Sequence, residues 1–270
     1  MTRDTPTTVG TAARLQRLGT DDRYVIVPMD HGITLGAVEG LVDLGDTVDA
    51  VTRGGADAVL TQKGIAPRVH EHRNGAGYLV HVNASTTRGP DANDKRRTAT
   101  VEEALRAGAD GVSFHINVGS DHEREQIEDL ANLTAEASQY GLPVLAMAYA
   151  RGPGVDSEDP EALGHAVRLA EELGADLVKT GYSGDAESFE RVVESTRLPV
   201  LIAGGEPAGD RATLEAVRGA MDGGAAGVSI GRSIFQHDDP EAITRAVAAV
   251  VHDDAAPAEA LERAGLAVEA

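Results

Sequence analysis

A parallel eight-stranded (β/α)8 barrel, the TIM-barrel form of the α/β class, is what the sequence predicts, and three observations carry the prediction. The first is a repeat. Gly55-Ala56-Asp57-Ala58-Val59, Gly108-Ala109-Asp110-Gly111-Val112, Gly174-Ala175-Asp176-Leu177-Val178 and Gly224-Ala225-Ala226-Gly227-Val228 each close an amphipathic stretch and open a short apolar run. Their starts lie 53, 66 and 50 residues apart, roughly two βα units, so they mark every second strand. The second observation is the set of apolar runs between them: Val25 to Met29, Tyr78 to Val82, Pro143 to Met147 and Pro199 to Ala203. The third is the character of all eight runs, β-branched and aliphatic without polar alternation, as parallel strands buried on both faces require. A doubly wound sheet is the alternative with the same order of elements.

Taken in order, Met1 to Gly10 is polar and Thr-rich, lacks the apolar core of a signal peptide, and is expected to be flexible. Residues 11–18 are expected to form a short helix under the barrel floor. Strands are expected at 24–29, 58–62, 78–82, 111–116, 143–148, 176–179, 199–203 and 227–230. The Gly before each even-numbered strand supplies the positive φ that ends the preceding helix. Charged faces such as Glu102 to Arg106 mark the helices. Ala66 to Gly77, with His70, His72 and Arg73, reads as a long irregular and mobile loop after the second strand. From Asp253 to residue 270 a polar C-terminal helix or tail is expected. No linker is visible, so residues 1–270 read as a single barrel domain.

Charge narrows the function. Lys and Arg number 24 against 44 Asp and Glu, a net charge of −20, which repels nucleic acids and anionic membranes. Only Lys63, Lys95 and Lys179 are lysines; the other 21 basic residues are Arg. That pattern suits a salt-adapted surface, with an ordinary acidic protein as the alternative. No Cys is present, so thiolate nucleophiles and disulfides are excluded. No run reaches the ~18 apolar residues that span a bilayer, and a soluble, cytoplasmic protein is expected.

A (β/α)8 barrel carries its chemistry where the strands end. The first strand runs into Asp30-His31-Gly32, the second into Lys63, and the fourth passes His115 and Asn117. The fifth ends at Tyr149 with Arg151 beyond it, and the sixth at Lys179. The seventh and eighth end in Gly204-Gly205 and Gly231-Arg232, a pattern suited to phosphate, since Gly lets backbone N–H groups approach and Arg adds a charge-assisted contact. Tight turns alone would also use those glycines.

Lys179 follows a short apolar strand, and a neutral amine there can add to a ketone to form a Schiff base. Tyr149 and Asp30 are candidates for the proton shuttle. A buried Lys179–Asp30 ion pair is the structural alternative. Lys95 stands in Asp94-Lys95-Arg96-Arg97, a run that reads as solvated, and Lys63 suits a substrate-facing point charge. A zinc aldolase would need His70, His72, His81 and His115 to converge, which their spacing does not support; no metal or organic cofactor is expected.

Val27-Pro28-Met29-Asp30-His31-Gly32-Ile33-Thr34, Tyr149-Ala150-Arg151-Gly152, Val178-Lys179-Thr180-Gly181-Tyr182, Ala203-Gly204-Gly205 and Ile230-Gly231-Arg232 together resemble the archaeal-type class I aldolases. The likeness covers about residues 12–250 and is nearer to the branch of transaldolases that make an aminoheptulosonate on an alternative route to 3-dehydroquinate. It implies a Schiff base on Lys179, a proton donor at Tyr149 and a proton acceptor at Asp30. Substrate-binding positions carry over to His31, Gly32, Ile33, Thr34, Ala150, Arg151, Gly204, Gly205, Gly231 and Arg232. It also implies a phosphorylated keto-sugar donor, an aldehyde acceptor and a homo-oligomer. Lys63 or Arg151 is then available for an acceptor carboxylate. Ala150 departs from the family, which usually has Pro there. A bisphosphate aldolase and a non-catalytic sugar-phosphate binder are the alternatives; the neutral Ile33-Thr34-Leu35-Gly36-Ala37 favours a methyl-ended diulose over a bisphosphate.

Overall fold

The computed structural model describes residues 8–205 and 207–267. In chain order, α1 (Val9–Leu18) precedes β1 (Tyr24–Pro28), α2 (His31–Leu35), α3 (Leu44–Arg53), β2 (Ala58–Gln62), α4 (Ala66–His72) and β3 (Gly77–His81). A small antiparallel ribbon of β4 (Asn83–Ala84) and β5 (Arg96–Arg97) interrupts the alternation before α5 (Val101–Arg106) and β6 (Gly111–Val118). The chain continues through α6 (Glu123–Gln139), β7 (Val144–Ala150), α7 (Pro160–Glu172), β8 (Leu177–Thr180), α8 (Ala186–Glu194), β9 (Val200–Ala203) and α9 (Asp210–Asp222). It closes with β10 (Gly227–Ser229), α10 (Arg232–Phe235), α11 (Pro240–His252) and α12 (Pro257–Ala264).

Eight parallel strands form a closed barrel in the ring order β1-β2-β3-β6-β7-β8-β9-β10, and β10 returns to β1 through Tyr24 opposite Gly227. Each barrel strand falls within two residues of the expected run. The absence of polar alternation has a direct cause. On β1, Tyr24 and Ile26 fill the barrel interior while Val25 and Val27 face the helices; on β8, Leu177 points in and Val178 out. Leu15 and Leu18 of α1 join the inner cluster and plug the floor; full burial of one such side chain is worth about 1.5–3 kcal/mol.

The repeat has a structural meaning beyond its spacing. Gly55, Gly108, Gly174 and Gly224 hold φ of +100°, +76°, +87° and +89°, the left-handed turn from helix into strand. In three copies the Asp then grips the foot of the preceding strand with both its amide and its carboxylate. Asp57 N donates to Val25 O while Val25 N donates to Asp57 Oδ2 at 2.7 Å. Asp110 does the same with Tyr78 at 3.2 Å and Asp176 with Val144 at 2.9 Å. The fourth copy has Ala226, which keeps only the backbone half, donating to Val200 O.

Several expectations need correction. Residues 66–77 are not an irregular loop: α4 occupies Ala66–His72, with Pro67 in its first turn and Ala66 and Val69 buried against the core. Two apolar contacts suffice to seat a short helix, too few to show as periodicity. The flexible start was expected over residues 1–10. Met1 to Thr7 lie outside the described residues, whereas Val9 and Gly10 belong to α1, where Thr8 Oγ1 accepts from Thr11 N at 3.1 Å. At the other end, α12 buries Ala260 and Leu261 and so is amphipathic, and residues 268–270 lie outside the described residues. No described helix is long and apolar enough to cross a membrane.

Candidate active site

Strand alternation aims the last inward side chain of each strand at the barrel mouth. On β7 the inward column is Leu145, Met147, Tyr149; on β8 it is Leu177, Lys179, with Met147 and Lys179 in register. Lys179 is 6% exposed and stands on an apolar floor. Asp30 enters from the turn after β1, across the ring from β7. These three groups share one cavity of about 270 Å³. One wall is Gly204, Gly205, Ser229, Gly231 and Arg232; the facing wall is Lys95, His115 and Arg151; Thr34 and Leu35 of α2 lie at the rim.

Burial alone would raise the Asp30 carboxyl, but His81, His31 and Lys179 nearby, with its own backbone N–H, together hold it below the ordinary carboxylate value. It is therefore an anion at neutral pH. His31 Nδ1 and His81 Nε2 approach its two oxygens at 3.6 Å each. Burial pushes His81 down despite Asp30. His81 Nδ1 lies 2.7 Å from Ser113 Oγ, and its Nε2 faces the carboxylate. His115 is held well below its usual value by burial and by Lys95 and Arg151; its Nε2 lies 2.8 Å from Asn117 Oδ1. Lys179 and Asp30 attract one another across the cavity, and no direct ion pair joins them among the described residues.

The glycines separate into packing and conformation. A Cβ on Gly231 would lie 2.8 Å from both Pro28 O and His31 Cε1, so that position is fixed by packing alone. Gly205 has φ +64° and open space beside it, as a backbone that receives a ligand would. Arg232 donates to Gly205 O at 3.1 Å and ties the two loops together. Ser229 Oγ, fully buried in the same wall, has no hydrogen-bond partner among the described residues.

Other expected site residues fall elsewhere. Gly32 and Ile33 line an adjoining apolar pocket with Leu41, Leu44 and Ile65, which shares Asp30 with the main cavity. Ala150 faces the helical shell, and its pairing with Val118 of β6 restrains the backbone that Pro would otherwise restrain. Lys63 does not line the cavity, and its Nζ pairs with Glu103 Oε1 at 2.6 Å. Lys95 is the opposite case. It is 9% exposed rather than solvated, because the β4–β5 ribbon folds its loop over the mouth, and its Nζ donates to Ser85 Oγ at 2.7 Å. Its rarity, one of three lysines, was the available signal. His70 and His72 sit on α4, with His70 Nε2 2.7 Å from Ala107 O. Among the described residues no three His, Asp or Glu side chains converge as a metal-binding group. A larger groove of about 720 Å³ lies between α7 and α8, away from the strand ends.

The sequence model of the DeoC/LacD family aldolases matches residues 24–237, the whole barrel. The chain belongs to the DeoC/LacD aldolase family. A 2-amino-3,7-dideoxy-D-threo-hept-6-ulosonate synthase of Halobacterium salinarum is 67% identical over 98% of this chain and 100% of its own. A class 1 fructose-bisphosphate aldolase of the same organism is 32% identical over 90% and 95%. Among solved structures, a Schiff-base-forming fructose-1,6-bisphosphate aldolase superposes with a TM-score of 0.81, at 30% identity over 90% of this chain and 100% of that one. The likeness thus extends over the full barrel of this aldolase family.

Proposed function

We propose that this aldolase-family chain is a transaldolase that makes 2-amino-3,7-dideoxy-D-threo-hept-6-ulosonate from 1-deoxy-D-threo-hexo-2,5-diulose 6-phosphate and L-aspartate 4-semialdehyde. The observation that carries the choice is the 67% identity to the synthase, against 32% to the bisphosphate aldolase, over nearly the same length. The shared cavity of Lys179, Asp30 and Tyr149 supports this reading. Lys179 Nζ adds to the C2 ketone of the donor, and loss of water gives an iminium. The C3–C4 bond then breaks: the C4 hydroxyl gives its proton to Asp30, C4 becomes an aldehyde, and the bonding electrons form an enamine on C3. 2,3-Dioxopropyl phosphate departs. The enamine attacks the aldehyde carbon of L-aspartate 4-semialdehyde, Tyr149 protonates the new alkoxide, water hydrolyses the iminium to free Lys179, and the proton that Asp30 took returns to Tyr149 through water to close the cycle.

His31, Thr34, Gly204, Gly205, Gly231 and Arg232 bound the donor on one side of Lys179, and Arg151 bounds it on the other. The cavity therefore offers two cationic walls to a substrate with one phosphate. An expected cytoplasmic location, a homo-oligomeric state and a salt-adapted surface complete the reading; the last is supported by the net charge of −20. The deciding experiment is a side-by-side assay of transaldol product from the diulose phosphate and of fructose-bisphosphate cleavage. A higher kcat/KM for fructose bisphosphate would move the chain to the lyases of the family.

A further inference from the structure

We propose that Lys95 and Arg151 form a single anion subsite, filled in turn by the phosphate of the departing 2,3-dioxopropyl phosphate and by the carboxylate of the incoming L-aspartate 4-semialdehyde; this rests on the transaldol reading above. Arg17, Arg53, Arg73 and Arg97 each pair with a carboxylate. Lys95 and Arg151 do not. Lys95 Nζ donates to the Ser85 hydroxyl with Asp30 and Asp91 farther off, Arg151 lies over the Tyr149 ring at 4.4 Å, and neither has a direct carboxylate ion pair among the described residues. Two cations that line one cavity and lack a direct carboxylate contact form a place for an anion. Burial and the neighbouring Arg151 disfavour the charge on Lys95 while Asp30 and Asp91 favour it, and a directly bound anion adds to the second effect.

Position selects the occupant. Lys95 comes from the loop between β3 and β6, and β3 stands four strands from β9, which delivers Gly204-Gly205, so the two cationic walls face each other across Lys179. Tyr149 carries Arg151 on its ring and leans on His115 at 4.9 Å. The aldehyde oxygen protonated by Tyr149 therefore lies toward this wall. Both aldehydes bond to the same enamine carbon, so the chains beyond their carbonyls run in the same direction. One carries a phosphate there and the other a carboxylate, while the retained fragment ends in a methyl group. A shared subsite also requires the first product to leave before the acceptor enters.

Lys95→Gln and Lys95→Arg test the assignment. The Gln variant should raise KM for the diulose phosphate and for aspartate semialdehyde, each by about 10- to 100-fold, with Arg restoring most of both. Borohydride trapping of hydroxyacetone, an uncharged ketone that gives the same enamine, and its transfer to propanal should be unchanged. If the Gln variant melts early, Lys95→Met keeps the aliphatic stem and gives the same comparison. A rise for only one anionic substrate, an equal loss with propanal, or a donor KM that responds to Arg232→Ala instead of Lys95→Gln overturns the subsite. If the wild-type enzyme makes no product from the two substrates, the proposed function fails and the subsite with it; product formation with unresponsive Lys95 variants overturns the subsite alone.

Discussion

Replacing Tyr149 by Phe removes one hydroxyl and leaves the ring in place, because its contacts are made by its faces and edges. His115 lies 4.9 Å from the ring centroid and Arg151 4.4 Å, and Phe keeps both. The perturbation is thus confined to proton transfer. A positioned general acid contributes about 10²- to 10⁴-fold, which corresponds to about 2.7–5.5 kcal/mol of barrier. The ring sits on the inner apolar column above Met147, so no cavity opens and the melting temperature should hold. The assay pairs turnover of the diulose phosphate and aspartate semialdehyde with borohydride trapping. Turnover should fall by the stated factor while the trapped adduct still forms on Lys179. Turnover within about threefold of wild type would refute the role of the phenol, and loss of the adduct would show that Tyr149 acts on Lys179 instead.

Lys179→Met should abolish the trapped adduct with any ketone donor, and peptide mapping of the wild-type adduct should find Lys179; an adduct on Lys63 or Lys95 would overturn the Schiff-base assignment. Asp110→Ala strands the Tyr78 N–H and deprives Arg17 and Arg73 of their partner. A loss of about 1.5–3 kcal/mol lowers the melting temperature by about 3–12 °C, with kcat per folded molecule unchanged; a melting temperature that does not move would dismiss the strand-foot grip. With a net charge of −20, the melting temperature should rise between low salt and 2 M KCl as screening relieves carboxylate repulsion; a flat response would end the salt-adaptation reading. Burial pushes the Tyr78 phenol up to about 12, partly offset by its hydrogen bond with Thr61. The folded chain then holds that proton more tightly than the unfolded one, so stability is intact below about pH 10 and is lost as pH rises toward 12. Thermal melts of Tyr78→Phe across that window should show a shallower decline than wild type.

The barrel was legible because parallel strands buried on both faces leave uninterrupted apolar runs, and the repeat set their phase. Its strand ends were legible for the same reason: once Leu177 is inward, Lys179 must be inward too. Lys95 was not. Its neighbours Asp94, Arg96 and Arg97 are polar, and what buries it is a long-range pairing of Asn83 with Arg97 that local composition does not encode. Lys63 differs in the opposite sense, since it shares a strand-end position with the residues that line the cavity but pairs with Glu103, forty residues on. The Asp of the repeat showed in the sequence as spacing, while its function needed the preceding strand to be in view.

The two apolar clusters meet only across the strand backbones, one inside the ring and one beneath the helices. A substitution in Val48, Leu133 or Val247 therefore acts on the shell without changing what Lys179 and Tyr149 stand on. Leu145, Met147, Leu177 and Leu201 are different: they underlie Lys179 and Tyr149. Sequence drift in this protein can accordingly be sorted by layer. The shell is free to follow salt and temperature, and the inner column is bound to the chemistry.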